Sequence, residues 1–149
     1  IICPMINNKD DCKKFVSYCK YPPLGQRSFG PMRAQLEFGP QYYANANEET
    51  LSIAMIESKE AVENLEEILS TKGLDGIYVG PADLSFSREA NPDHPFKTDD
   101  DCVEYVADQL KGTGTKLAIR HYYPELRDKY IKMGATVLLE IPKLNHKYR

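Results

Sequence analysis

The sequence predicts an α/β fold built around a parallel sheet. Short, solidly apolar runs recur at residues 1–6, 51–56, 76–79, 116–119 and 135–139. A strand that is apolar at successive positions is buried on both faces, which is the habit of parallel sheets. Between the runs lie stretches whose apolar residues return every three or four positions, as on a helix with one buried side. Strands and helices in alternation make crossover units, whose helices stack on a parallel sheet. Periodicity leaves open whether that sheet is doubly wound or closed into a barrel.

The elements follow in order. Ile1-Ile2-Cys3-Pro4-Met5-Ile6 reads as a strand entered in mid-course, and Asn7 and Asn8 can cap a helix over Lys9–Cys19. That helix buries the stripe Cys12, Phe15, Val16 and Cys19. Residues 20–49 carry Pro22-Pro23, Gly25, Gly30-Pro31 and Gly39-Pro40, breakers that forbid a continuous helix; a loop of this length in a compact domain is usually functional. The run 51–56 is a strand, followed by a helix over 59–70 with Val62, Leu65 and Leu69 on one side and Gly73 ending it. Gly76-Ile77-Tyr78-Val79 is the next strand, and a polar loop follows it. Thr98 and Asp99–Asp101 begin a helix with Val103, Val106, Ala107 and Leu110 inward, and the acidic start complements the helix dipole. After the strand 116–119, Pro124 suits the first turn of a helix carrying Leu126, Tyr130 and Met133, capped by Gly134, and 135–139 closes the series.

Composition narrows the function. The chain of 149 residues is long enough for one domain with a real core. A net charge of −3 with mixed signs gives no basic stripe that would release counterions from a nucleic acid. No apolar run reaches the roughly 18 residues a membrane span needs. Cys3, Cys12, Cys19 and Cys102 form no close metal-type pair and read as reduced, buried thiols of a cytoplasmic protein.

Function in parallel α/β folds gathers at the carboxyl ends of the strands. Three of those ends are polar here: Glu57, then Gly80-Pro81-Ala82-Asp83-Leu84-Ser85, then Arg120-His121. Two carboxylates on neighbouring strand ends suit Mg²⁺ or Mn²⁺, which take oxygen ligands and keep open positions for a substrate. The Gly80–Asp83 backbone also suits an anion such as a carboxylate. The plainer readings stand beside these: Glu57 favouring the next helix N-terminus, and Asp83 capping a short turn.

Several segments carry a family resemblance in both order and spacing. They are Ile2-Cys3-Pro4-Met5-Ile6, Tyr21-Pro22-Pro23-Leu24-Gly25-Gln26-Arg27, Met55-Ile56-Glu57-Ser58 with Ala61-Val62-Glu63-Asn64-Leu65, and Gly73 through Ser85, followed by Asn91-Pro92-Asp93-His94-Pro95. Together they resemble the HpcH/HpaI family of class II, metal-dependent pyruvate aldolases, over residues 1 to about 139. The resemblance implies a partial TIM (β/α)8 barrel, strands four to eight, making 1–149 a single incomplete barrel domain. It implies a lyase that cleaves 4-hydroxy-2-oxo acids to pyruvate and an aldehyde. Glu57 and Asp83 would hold a divalent metal (Mg²⁺ or Mn²⁺), and Gly80, Pro81 and Ala82 would receive the carboxylate of pyruvate. The catalytic base and the keto-stabilising arginine belong to strands outside this chain, so the chain alone is expected to be catalytically silent. The full-length parent is expected to be a homo-oligomer.

Departures from the family pattern bear on specificity. Arg120 and His121 stand where relatives have small, glycine-containing sequence; they either line the pocket and select an acidic aldehyde or face the helices and solvent. Met55 stands two residues before Glu57 where a glutamine is common, and Glu140-Ile141-Pro142-Lys143 also departs. His94 is expected at the surface or an interface, His146 has no role, Arg27 reads as a surface arginine or one reaching a neighbouring site, and Tyr42-Tyr43 as packing or interface. The alternatives are a malyl- or citryl-thioester lyase and a truncated, non-catalytic barrel module.

Overall fold

A computed structural model describes residues 1–121 and 124–140, except the side chains of His121, Pro124 and Glu140. The strands are β1 (Ile2–Cys3), β2 (Ile53–Ile56), β3 (Gly76–Val79), β4 (Lys116–His121) and β5 (Ala135–Glu140). The helices are α1 (Lys9–Cys19), α2 (Met32–Phe38), α3 (Tyr42–Glu49), α4 (Lys59–Glu63), α5 (Leu65–Leu69), α6 (Pro81–Ala90), α7 (Asp99–Leu110) and α8 (Arg127–Lys132), the last preceded by a 3₁₀ turn at Pro124–Leu126.

All four neighbouring strand pairs are parallel, and the strands lie in sequence order β1-β2-β3-β4-β5. Doubly wound sheets reverse their strand order at a switch point; a singly wound barrel does not. The order therefore settles the question that periodicity left open. The two faces agree with it. The large core joins the outward side chains Ala54, Ile56, Ile77, Val79, Leu117 and Ile119 to helix residues such as Val16, Leu65, Ile68, Val103 and Val106. A small cluster of Ile53, Tyr78 and Ala118 lies on the other face, the interior of a barrel. The structure is thus an α/β partial barrel.

Local chemistry explains the helix ends. Asn8 caps α1 by accepting from the Asp11 amide at 2.9 Å. Thr98 and Asp101 form a reciprocal capping box at the start of α7. Each such cap contributes about 1 kcal/mol. Leu65 and Ile68 are fully buried, each contributing roughly 1.5–3 kcal/mol by leaving water.

Four expectations need correction. The helix expected over 59–70 is divided at Asn64, the C-cap of α4 and N-cap of α5. Residues 20–49 are not simply a loop: two short helices form, each starting after a Gly-Pro breaker pair. The polar stretch after β3 is the ten-residue helix α6, with Pro81 at its first position, where the missing amide is no loss. The first strand pairs only at Ile2 and Cys3, because Met5 turns left-handed at φ 56°.

Residues 20–50 join the end of α1 to the start of β2, so they lie at the amino ends of the strands. The buried Lys20 fastens them there, donating to the carbonyls of Asn47 (2.8 Å) and Thr50 (2.5 Å) and pairing with Asp75 at 3.3 Å. Arg27 stacks 4.6 Å over the Tyr21 ring and donates to the Tyr42 hydroxyl. No helix among the described residues is long and apolar enough to cross a membrane.

Candidate functional site

At the opposite, carboxyl pole a cleft of about 270 Å³ is lined by Pro4, Met55, Glu57, Tyr78, Gly80, Pro81, Ala82, Asp83 and Arg120. It brings together six of the residues singled out at the strand ends, with Glu57 leaving β2, Gly80–Asp83 leaving β3 and Arg120 near the end of β4.

Glu57 is the buried member, only 3% exposed. Its Oε1 accepts from the Met5 amide at 2.8 Å. Its Oε2 lies over Gly80, where a Cβ would come within 2.6 Å of it. Gly80 is therefore required by close approach, not by its backbone angles, which are extended. Burial raises the Glu57 pKa above its ordinary 4.5; the Met5 amide opposes this, and the neighbouring carboxylate of Asp83 raises it further. Asp83 is exposed, on the first turn of α6, and so faces Glu57 across the cleft. It is part of a helix, not the cap of a short turn.

The α6 amides decide what that loop can offer an anion. The Gly80 N–H is already donated to Ile56 O at 3.1 Å, and Pro81 has none. The Leu84 N–H closes the first helical turn on Gly80 O. The amides without an intrahelical acceptor are those of Ala82 and Asp83. Anion capture by this loop thus falls on Ala82 and Asp83, with Gly80 and Pro81 shaping the approach.

A divalent cation fits these residues. A desolvated Glu57 carboxylate whose charge is further disfavoured by Asp83 is relieved by a dication, and Mg²⁺ or Mn²⁺ is commonly held by one or two carboxylates plus substrate and water. Among the described residues no group of three or more His, Cys, Asp or Glu is arranged to hold a metal.

Arg120 is exposed and also lines a second cavity, of about 430 Å³, with Pro81, Arg88, Lys97, Thr98, Asp99 and Tyr130 among its walls. The side chain of His121 lies outside the described residues, as do Ile141–Lys143 and His146. His94 is not a surface residue. It is 4% exposed, with Nδ1 accepting from the Phe96 amide at 3.1 Å.

Two residues to which the sequence reading gave no part in the site lie beside Glu57. Asn7 accepts from the Ser58 hydroxyl at 2.6 Å, and Ser58 caps α4 by accepting from the Ala61 amide. The sequence signal for Ser58 was a capping serine immediately before the helical pattern; for Asn7, read as a cap, there was none.

The chain has counterparts among known proteins. The HpcH/HpaI aldolase/citrate lyase family matches residues 1–108. A hydroxypyruvate/pyruvate aldolase of Rhizorhabdus wittichii is 46% identical over 85 residues, 57% of this chain and 34% of that protein. A 4-hydroxy-2-oxo-heptane-1,7-dioate aldolase of Shigella flexneri is 33% identical over 140 residues, 91% of this chain and 52% of its own length. The crystal structure of an HpcH/HpaI aldolase from Desulfitobacterium hafniense superposes with a TM-score of 0.80 at 26% identity, over 93% of this chain and 55% of that one. The chain thus spans about half the length of the Shigella relative and of the solved structure.

Proposed function

Because the chain belongs to the HpcH/HpaI aldolase/citrate lyase family, we propose that it forms the metal-binding half of a carbon–carbon lyase. The reaction is aldol cleavage of a 4-hydroxy-2-oxo acid to pyruvate and an aldehyde. The observation that carries this reading is the buried Glu57 carboxylate, pinned through Oε1 and turned toward Asp83 in one cleft.

Glu57 and Asp83 hold a divalent cation, Mg²⁺ or Mn²⁺. When bound, that ion supplies Lewis acidity for the negative charge that develops on the 2-oxo acid as the carbon–carbon bond breaks. The Ala82 and Asp83 amides, at the positive end of α6, receive the substrate carboxylate, with Gly80 and Pro81 letting it approach. Tyr78 and Met55 wall the cleft and limit water on the inner side. Arg120, at the rim, orients a second anionic group, which suits a dioate such as the one named for the Shigella relative. No residue of this chain is assigned as the base.

The reading is tested by exchange of the pyruvate methyl protons with deuterated water, followed by NMR in a buffer that itself supplies the base. Exchange is expected to depend on Mn²⁺ and to fall to the rate of free Mn²⁺ in Glu57→Gln and Asp83→Asn. Accelerated exchange that survives both substitutions would place the chemistry elsewhere.

A further inference from the structure

We infer that Asn7 is a positioning residue for Glu57, acting through Ser58 and the backbone of Met5 to fix the direction of the carboxylate. The inference rests on the proposed role of Glu57 as a metal ligand.

The turn between β1 and α1 is unusual in one respect. Met5 is left-handed, at φ 56°, a conformation that an L residue with a side chain adopts rarely. Its side chain does not explain this, being 51% exposed. Its amide does something specific: it donates to Glu57 Oε1 at 2.8 Å, across from the next strand. A turn held in a disfavoured conformation needs ties, and two are present. Asn7 Oδ1 accepts from Ser58 Oγ at 2.6 Å, and Asn7 O accepts from Asn64 Nδ2 at 3.0 Å. Both donors lie on the segment that begins at Glu57. Ile6, between Met5 and Asn7, is buried in the core and anchors the turn from below.

The consequence for the carboxylate is directional. With Oε1 occupied by Met5, Oε2 is left over Gly80 on the Asp83 side. Removing the Asn7 side chain cuts the tie to Ser58 and leaves only the backbone tie to Asn64, so the turn loosens, the Met5 amide holds Oε1 less firmly and the carboxylate can rotate. Partners of this kind behind a metal ligand typically change affinity about 10- to 100-fold.

The experiment is calorimetric titration of the whole chain with Mn²⁺, alongside melting without metal. The variants are Asn7→Ala, Ser58→Ala, the double variant, and Thr98→Ala, which loses a comparable helix cap at a residue that does not line the cleft. Asn7→Ala and Ser58→Ala are each expected to weaken Mn²⁺ binding about tenfold. The double variant is expected to be no weaker than about twofold beyond the worse single one, because both cut one link. Thr98→Ala is expected to lower the melting temperature and leave Mn²⁺ affinity unchanged. Ser58→Ala carries the test if Asn7→Ala does not fold. Unchanged affinity in Asn7→Ala and Ser58→Ala, or losses that multiply in the double variant, overturns the positioning role alone. A parent chain that binds no Mn²⁺ overturns the metal reading, and the positioning role with it.

Discussion

Adding one methyl group at Gly80 puts a carbon into the space that Glu57 uses. An ideal Cβ there lies 2.6 Å from Glu57 Oε2, 3.1 Å from Glu57 Cβ and 3.0 Å from Met55 Sδ. The Gly80 backbone, at φ −91° and ψ 100°, accepts any residue, so the penalty is contact and not backbone strain. Relief requires the Glu57 carboxylate to swing away, which breaks its bond from the Met5 amide. Losing a hydrogen bond to a charged group costs about 1.5–3 kcal/mol, and forced repacking costs about 1–3 kcal/mol. Part of one overlaps the other, and the stiffer unfolded chain of an alanine variant offsets about 0.4–1 kcal/mol. Gly80→Ala is therefore expected to lose about 2 kcal/mol, a fall of roughly 4–8 °C in Tm for a chain of this size. Mn²⁺ affinity should fall at least about tenfold, since the displaced group is a proposed ligand. Circular-dichroism melting and Mn²⁺ titration read the two effects separately. A variant that melts and binds Mn²⁺ like the parent would refute the close approach of Gly80 and Glu57.

Three further outcomes follow. The folded-state pKa of Glu57 is raised above 4.5, so the contribution of its protonated form is present below about that pH and is lost as pH rises through the raised value. Metal-free Glu57→Gln is accordingly expected to be more stable than the parent at pH 7, with the advantage vanishing near pH 4; urea midpoints at the two pH values measure it, and equal midpoints at pH 7 would contradict the burial penalty. Burial pushes the Cys102 thiol up to about 12 and raises Cys12, while Cys3 is only half-buried though also raised. At pH 8 a thiol reagent should label Cys3 first and slowly, and all four cysteines only in denaturant; peptide mapping that finds Cys102 labelled in the folded chain would contradict the packing of α7. Arg120→Ala should weaken binding of a dicarboxylic 2-oxo acid to the Mn²⁺-loaded chain by about fivefold, as expected for an exposed charge pair, while leaving pyruvate nearly unaffected. Equal losses for both ligands would remove Arg120 from specificity.

The parallel sheet and most of its helices were legible because buried strands and one-sided helices impose different apolar periods. The stripe Cys12, Phe15, Val16 and Cys19 is buried as read, and so are Val103, Val106 and Leu110. Strand order was not legible, since it depends on which face each crossover covers. The helix α6 escaped because Leu84 is its only buried residue, so Pro81–Ala90 has almost no apolar stripe to betray it; Gly80-Pro81 was the available signal. The burial of His94 escaped for a related reason, since a loop side chain is covered by tertiary packing that no local pattern records. In the cleft, the polar strand ends identified Glu57, Asp83 and Arg120 as neighbours. They did not indicate that Gly80 spends its amide on Ile56, nor that Asn7 supports Ser58 across 51 residues of chain.

The most direct test of the two-carboxylate site is paramagnetic broadening of the pyruvate methyl signal by Mn²⁺ bound to the chain. Broadening beyond that of free Mn²⁺ should appear at substoichiometric protein with Mn²⁺ present, and should fall to the free-ion level in both Glu57→Gln and Asp83→Asn. Broadening that persists undiminished in both variants would mean that Glu57 and Asp83 do not hold the ion that meets the substrate.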